Sequence, residues 1–105
     1  MAGHNSGDIL DHQLQINSDH FLPVDDGLIP LGNLQPVAET SFDFSTPNAV
    51  GARINDAHPQ LEIGNGYDHN WVLNKSSEER LQLAAELWHE KSGRSVRVYT
   101  NQPGM

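Results

Sequence analysis

Short runs of alternating apolar and polar residues, broken every few positions by turn residues, pattern this chain. In His12-Gln13-Leu14-Gln15-Ile16-Asn17, Leu14 and Ile16 share one face and polar residues the other. Arg94-Ser95-Val96-Arg97-Val98-Tyr99 repeats the pattern with Val96 and Val98, and Phe42-Asp43-Phe44 is a shorter instance. Between such runs lie Asn5-Ser6-Gly7, Asp25-Asp26-Gly27, Asn65-Gly66, Ser92-Gly93 and Pro103-Gly104. Gly reaches positive φ at little cost, and Asn or Asp can bond its own backbone, so these dipeptides and tripeptides read as turns. Period-two alternation bounded by turns predicts half-buried antiparallel strands.

The stretch from Ser76 to Gly93 carries two patterns at once. Ser76 with Glu79 resembles a capping box, Gly93 suits a helix C-terminus, and Leu81, Ala84, Ala85 and Trp88 have helical spacing. Yet Leu81, Leu83, Ala85 and Leu87 also alternate with Gln82, Ala84, Glu86 and Trp88. Intrinsic propensity points to helix, because Leu, Ala, Glu and Gln are good helix formers.

The chain has 105 residues, the size of one ordinary domain, and no low-complexity tract divides it, so residues 1–105 read as a single unit. Fourteen acidic against six basic residues give a formal charge of −8. That charge opposes binding to phosphate backbones and anionic membranes, so neither nucleic acid nor membrane is an expected partner. There is no cysteine, which excludes a disulfide framework and a thiolate nucleophile or metal site. No apolar stretch approaches a membrane span, and Met1 to Asp8 lacks the basic flank and apolar run of a signal peptide.

Six histidines raise the question of a metal. No pair has the compact spacing that puts two ligands on one helical face, so scattered surface histidines and no metal site are expected. Asp25-Asp26-Gly27 lacks the alternating oxygen ligands of a calcium loop. Gly64-Asn65-Gly66 is a lone Gly-x-Gly with no evident helix start after it, a poor phosphate cradle. Asn74-Lys75-Ser76 fits a glycosylation sequon, which matters only in a secreted protein. The densest chemistry lies in Gly66-Tyr67-Asp68-His69-Asn70-Trp71. A carboxylate beside aromatic faces can hold a sugar, by accepting hydroxyl hydrogen bonds and covering its C–H surfaces. The plainer reading is a polar turn leading into a strand Trp71-Val72-Leu73, with Trp71 in the core.

Several stretches, taken in order, resemble the aldose 1-epimerases, the galactose mutarotase family. They begin with Asp8-Ile9-Leu10-Asp11-His12-Gln13-Leu14-Gln15-Ile16, Phe21-Leu22-Pro23-Val24-Asp25 and Leu28-Ile29-Pro30-Leu31-Gly32. Pro36-Val37-Ala38, Phe42-Asp43-Phe44-Ser45-Thr46-Pro47 and Ile63-Gly64-Asn65-Gly66-Tyr67-Asp68-His69-Asn70 follow. Lys91-Ser92-Gly93-Arg94 and Val98-Tyr99-Thr100-Asn101-Gln102-Pro103-Gly104 close the series. Each motif is modest; their order and spacing together are specific. Two positions depart from the family pattern: Glu39, where glycine is usual, and Ser45, where arginine is common.

The resemblance implies an all-β fold, part of a large antiparallel β-sandwich truncated at both ends, and it tips Ser76 to Gly93 toward a strand and hairpin. It implies an isomerase that interconverts the α and β anomers of aldoses such as galactose and glucose, with no cofactor. A glutamate base takes the anomeric proton, a histidine acid protonates the ring oxygen, and the opened ring recloses on the other face. Of this machinery, Asp68 matches the family aspartate that holds a sugar hydroxyl. The acid and the base are expected outside residues 1–105, so this chain carries no catalytic residue and is expected to be inactive alone. His12, His20 and His69 do not stand at the position of the acid. The aldose sugar is the expected ligand, a cytoplasmic location suits the family's bacterial members, and exposed strand edges are expected to promote self-association. Two alternatives stay open: a non-catalytic carbohydrate-binding β module using Asp68, and an acidic interaction domain in which Ser76 to Gly93 is helical.

Overall fold

The computed structural model describes residues 2–76 and 79–105. Two antiparallel sheets form its frame. Strands β1 (Gln13–Ile16), β2 (Ser18–Phe21), β3 (Gln35–Pro36) and β4 (Asn48–Ala49) come first, followed by a 3-10 turn at Val50–Ala52 and helix α1 (Pro59–Gly64). Strands β5 (Trp71–Leu73), β6 (Gln82–His89) and β7 (Arg94–Thr100) complete the order. One sheet runs β4-β1-β6-β7 and the other β3-β2-β5. The second is extended by the last residues: Trp71 and Met105 exchange backbone bonds of 2.8 and 3.0 Å, and Leu73 N–H donates to Pro103 O at 3.0 Å.

A single residue, Asn17, separates β1 from β2, and there the chain passes from one sheet to the other. Its backbone N–H donates to Ala84 O, its side-chain amide donates to Leu83 O, and its carbonyl accepts from Asn74 N–H. Both of its backbone groups and its side-chain NH2 are thereby satisfied at the corner between the two sheets.

The core gathers where the sheets meet: Ile16, Ala84 and Ala85 from the larger one, Phe21, Trp71 and Leu73 from the smaller, with Val37, Phe42, Phe44 and Leu61 from the connections. Phe42 is its hub. It stacks on Phe21 at 4.2 Å and meets Tyr67 and His69 edge-on at 5.5 and 4.7 Å. The Trp71 indole N–H donates to Phe42 O at 3.0 Å, so the buried polar atom of the indole is paired.

Within Ser76 to Gly93 the strand and hairpin the resemblance implied run from Gln82 to Gly93, against helix propensity, while Ser76 and Glu79 to Leu81 are irregular; residues 77 and 78 of that stretch lie outside the described residues. The alternation is broken by a bulge between Leu83 and Ala85, which buries Ala84 and Ala85 together; Leu81, just ahead of the strand, is exposed. A four-residue turn, Glu90 to Gly93, joins β6 to β7, with Gly93 at φ 72°. Phe42-Asp43-Phe44 is not a strand, although both rings are buried as the alternation required. Its backbone turns instead, and it is tied to the frame by Phe44 O, which accepts from Ile16 N–H at 2.7 Å, and by Phe42 O, which accepts from the Trp71 indole. In β7, Val98 packs on the core while Val96 and Tyr99 stay exposed at the end of the sheet order.

Glu39, one of the two departures noted above, has φ 63°. That left-handed conformation is free for glycine and strained for a residue with a Cβ, which accounts for glycine being usual there.

Candidate functional site

Helix α1 was not legible as such in the sequence, yet it builds the floor under Asp68. Pro59 supplies a pre-set φ at the first helical position, and His58 caps the helix by accepting from Gln60 N–H on Nδ1 at 3.1 Å. The helix ends where Asn65 turns left-handed at φ 51°, and Gly66 N–H returns to Leu61 O at 2.9 Å. The pair Asn65-Gly66 therefore marks the end of a helix rather than the start of a phosphate loop.

From that cap the chain runs through Tyr67-Asp68-His69-Asn70 into β5. Tyr67 donates its hydroxyl to Ser41 O at 2.7 Å, and burial raises its phenol above the ordinary range. His69 shares a bond of 3.1 Å between Nε2 and Gln60 Oε1, while its Nδ1 is buried without a partner. Desolvation holds the His69 imidazole below its usual value; nearby Asp68 pulls it up and nearby His58 pushes it down. Trp71 is buried at the strand start, as the plainer reading had it. Asp68 itself is exposed, placed between two anchored aromatic neighbours.

Two cavities lie near this segment, of about 450 and 420 Å³. The first is lined by Ser41, Asp43, Arg53 and His58, the second by Ile54, Leu61, Glu62 and Gly66, and neither is lined by Asp68. A site that holds a small ligand usually encloses most of its surface. The Asp68 carboxylate stands exposed beside these two cavities rather than inside either of them.

Two of the histidines, His12 and His89, are not surface groups, which corrects the expectation from their spacing. His12 and His89 are buried and stack at 4.5 Å with 23° between planes. One carboxylate bridges them: Asp11 Oδ1 lies 3.1 Å from His12 Nδ1 and Oδ2 3.3 Å from His89 Nε2. Ser92 meets the other His89 nitrogen at 2.8 Å. Burial alone would raise the Asp11 carboxyl, but the hydrogen bond to His12 and the charge and hydrogen bond of His89 outweigh it and hold it low. Three possible metal ligands thus fall within 4.8 Å of one another. Ring lone pairs lie in the ring planes, so two nearly parallel imidazoles aim alongside each other rather than at one point. The arrangement suits a carboxylate clamp between the start of β1 and the end of β6. Spacing could not reveal it, because Asp11 and His89 are 78 residues apart. His58 and His69 form a separate pair around Phe42, at 5.2 and 4.7 Å from its ring.

The aldose 1-epimerase family model matches residues 1–105, the whole chain. The chain belongs to that family. It is 43% identical over 105 residues to a galactose mutarotase of Sus scrofa, covering 29% of that protein, and 35% identical over 98 residues to an aldose 1-epimerase of Escherichia coli (strain K12), covering 28%. The crystal structure of a galactose 1-epimerase from Lactobacillus acidophilus NCFM superposes with a TM-score of 0.67 at 34% identity, over 77% of this chain and 23% of that one. The chain therefore spans about 29% of the length of the curated galactose mutarotases it matches. The antiparallel sheets and the family's structural neighbours agree with the all-β fold the resemblance implied.

Proposed function

We propose that residues 1–105 are the Asp68-bearing portion of an aldose 1-epimerase, in which Asp68 accepts a hydrogen bond from a hydroxyl of galactose or a similar aldose. The whole enzyme interconverts α and β anomers by ring opening and closure. Its proton donor and acceptor come from sequence outside this chain. The observation that carries this reading is the pose of Asp68 within a family match along the whole chain: an exposed carboxylate between anchored neighbours, in the segment that joins α1 to β5. Such a group can orient a sugar, since an ionised carboxylate is a strong acceptor for hydroxyl donors. It cannot by itself serve both oxygens that exchange protons.

Polarimetry of freshly dissolved α-galactose tests the catalytic half. The isolated chain is expected to leave the decay at the buffer rate, and a clear acceleration would refute the assignment of acid and base elsewhere. A galactose titration followed by NMR tests the binding half. Shifts centred on Tyr67 to Asn70, absent in Asp68→Ala, are expected, and shifts unaffected by Asp68→Ala would remove Asp68 from the site. In this reading the terminal position of β7 in its sheet among the described residues, with Val96 and Tyr99 exposed, also lets the isolated chain self-associate. Sedimentation that stays monomeric up to high micromolar concentration would contradict that.

A further inference from the structure

We propose that Gln60 and His69 form a positioning pair that fixes the pose of Asp68, with His69 held as the Nε2–H tautomer. The functional part of this inference rests on the reading of Asp68 as the sugar-binding carboxylate; the tautomer and the pose do not. The argument begins at Val24. Its backbone N–H donates to Gln60 Oε1 at 2.8 Å, and its carbonyl accepts from Gln60 Nε2 at 3.0 Å. A backbone N–H can only donate and a carbonyl can only accept, so these two bonds settle which end of the Gln60 amide is oxygen. That same oxygen lies 3.1 Å from His69 Nε2. An oxygen acceptor requires a donor, so Nε2 carries the imidazole proton and Nδ1 is left as a bare lone pair.

The surroundings hold the ring in that state. Phe21 and Phe42 meet it edge-on at 5.9 and 4.7 Å, so a proton added at the buried Nδ1 would bring a charge into an apolar pocket. From the other side α1 presses against it. A Cβ built on Gly64 would lie 2.9 Å from His69 Cε1 and 3.7 Å from Asp68 Cβ, so a bare glycine backbone is what lets the ring and the helix approach. The charged groups that act on His69 are Asp68 and His58. Asp68 is therefore bracketed: Tyr67 is tied to Ser41 O, and His69 is tied through Gln60 to Val24. The tie from α1 crosses 36 residues to Val24, so the pose of an exposed carboxylate is set from a distant segment. His69 and Gln60 act through Asp68 and are not catalytic residues.

The test uses the 105-residue chain with 15N-labelled histidine. At neutral pH, His69 is expected to show a protonated Nε2 and an unprotonated Nδ1; the opposite tautomer, or rapid averaging of the two, overturns the proposal. His69→Phe keeps the ring volume and removes the donor, Gln60→Leu removes the acceptor, and His69→Gln restores a donor. Asp68 χ1 couplings should report one rotamer in the wild type and His69→Gln, and averaging in His69→Phe and Gln60→Leu. Galactose affinity should fall roughly tenfold in His69→Phe and recover in His69→Gln, a change of about 1.4 kcal/mol. Wild-type affinity should decline only as pH falls through the lowered His69 value, where the positive charge that forms beside Asp68 draws on the carboxylate, whereas His69→Gln should be flat. If galactose does not bind while the tautomer and couplings behave as stated, the sugar reading fails and the positioning pair stands. If Asp68→Ala abolishes binding while His69→Phe and Gln60→Leu bind like the wild type with unchanged couplings, the pair fails and the sugar reading stands.

Discussion

Phe42→Ala removes the ring on which the core and the Asp68 segment both lean. Phe42 has no exposed surface, stacks on Phe21 at 9° between planes, and is met edge-on by His58, Tyr67 and His69. Truncating a buried phenylalanine costs about 3–5 kcal/mol, from lost transfer free energy and the cavity left behind. The upper half of that range is expected, because aromatic pairs contribute about 0.5–1.5 kcal/mol beyond area and several are lost at once. A domain of this size has roughly 5–15 kcal/mol in hand, so the variant should be on the edge of unfolding at 37 °C. Urea unfolding followed by tryptophan fluorescence measures the difference, with equal m-values as the check that the same surface is exposed. A second readout comes from the same substitution. Opening the pocket admits water to His69, so its imidazole should rise toward 6.5 in a 15N titration. A loss under about 1.5 kcal/mol would place Phe42 outside the well-packed core. A His69 titration that does not move would show that its desolvation comes from elsewhere.

Three further outcomes follow from named contacts. The lowered folded-state value of His69 means that the unfolded chain takes up its proton first, so stability should fall as pH drops below 6.5 toward that lowered value, and His69→Gln should flatten this limb of the profile. Gly51→Ala would place a Cβ 2.7 Å from Leu10 Cβ and 2.8 Å from Leu10 O, where Gly51 N–H now donates, and should cost about 1–3 kcal/mol in the urea assay. Glu39→Gly should stabilise by about 0.5–1 kcal/mol in the same assay, since relief of the left-handed strain at φ 63° exceeds the entropy glycine adds to the unfolded chain; a destabilised variant would contradict this.

Local patterns determined much of this protein. Alternation placed Leu14, Ile16 and Val98 toward the core, turn residues marked the β6–β7 hairpin at Gly93, and Trp71 opened a strand with its indole inside. These are short-range consequences of side-chain period and backbone freedom, so they are readable residue by residue. Where two local signals competed, as from Ser76 to Gly93, propensity pointed to helix and pairing with β1 and β7 decided for strand. Helix α1 is only six residues long, too short to show a periodic face, although His58-Pro59 and Asn65-Gly66 were its caps. Asp68 was visible as a candidate; what holds it was not. The Gln60 tie to Val24, the Tyr67 tie to Ser41 and the Asp11 clamp on His12 and His89 join residues between 26 and 78 positions apart, apart from Asp11 and His12 themselves. Polar residues carry no periodic signal for partners at such separations. Only the packing of two sheets and one short helix brings them within hydrogen-bond reach, because a buried donor or acceptor must find whatever partner the fold places beside it.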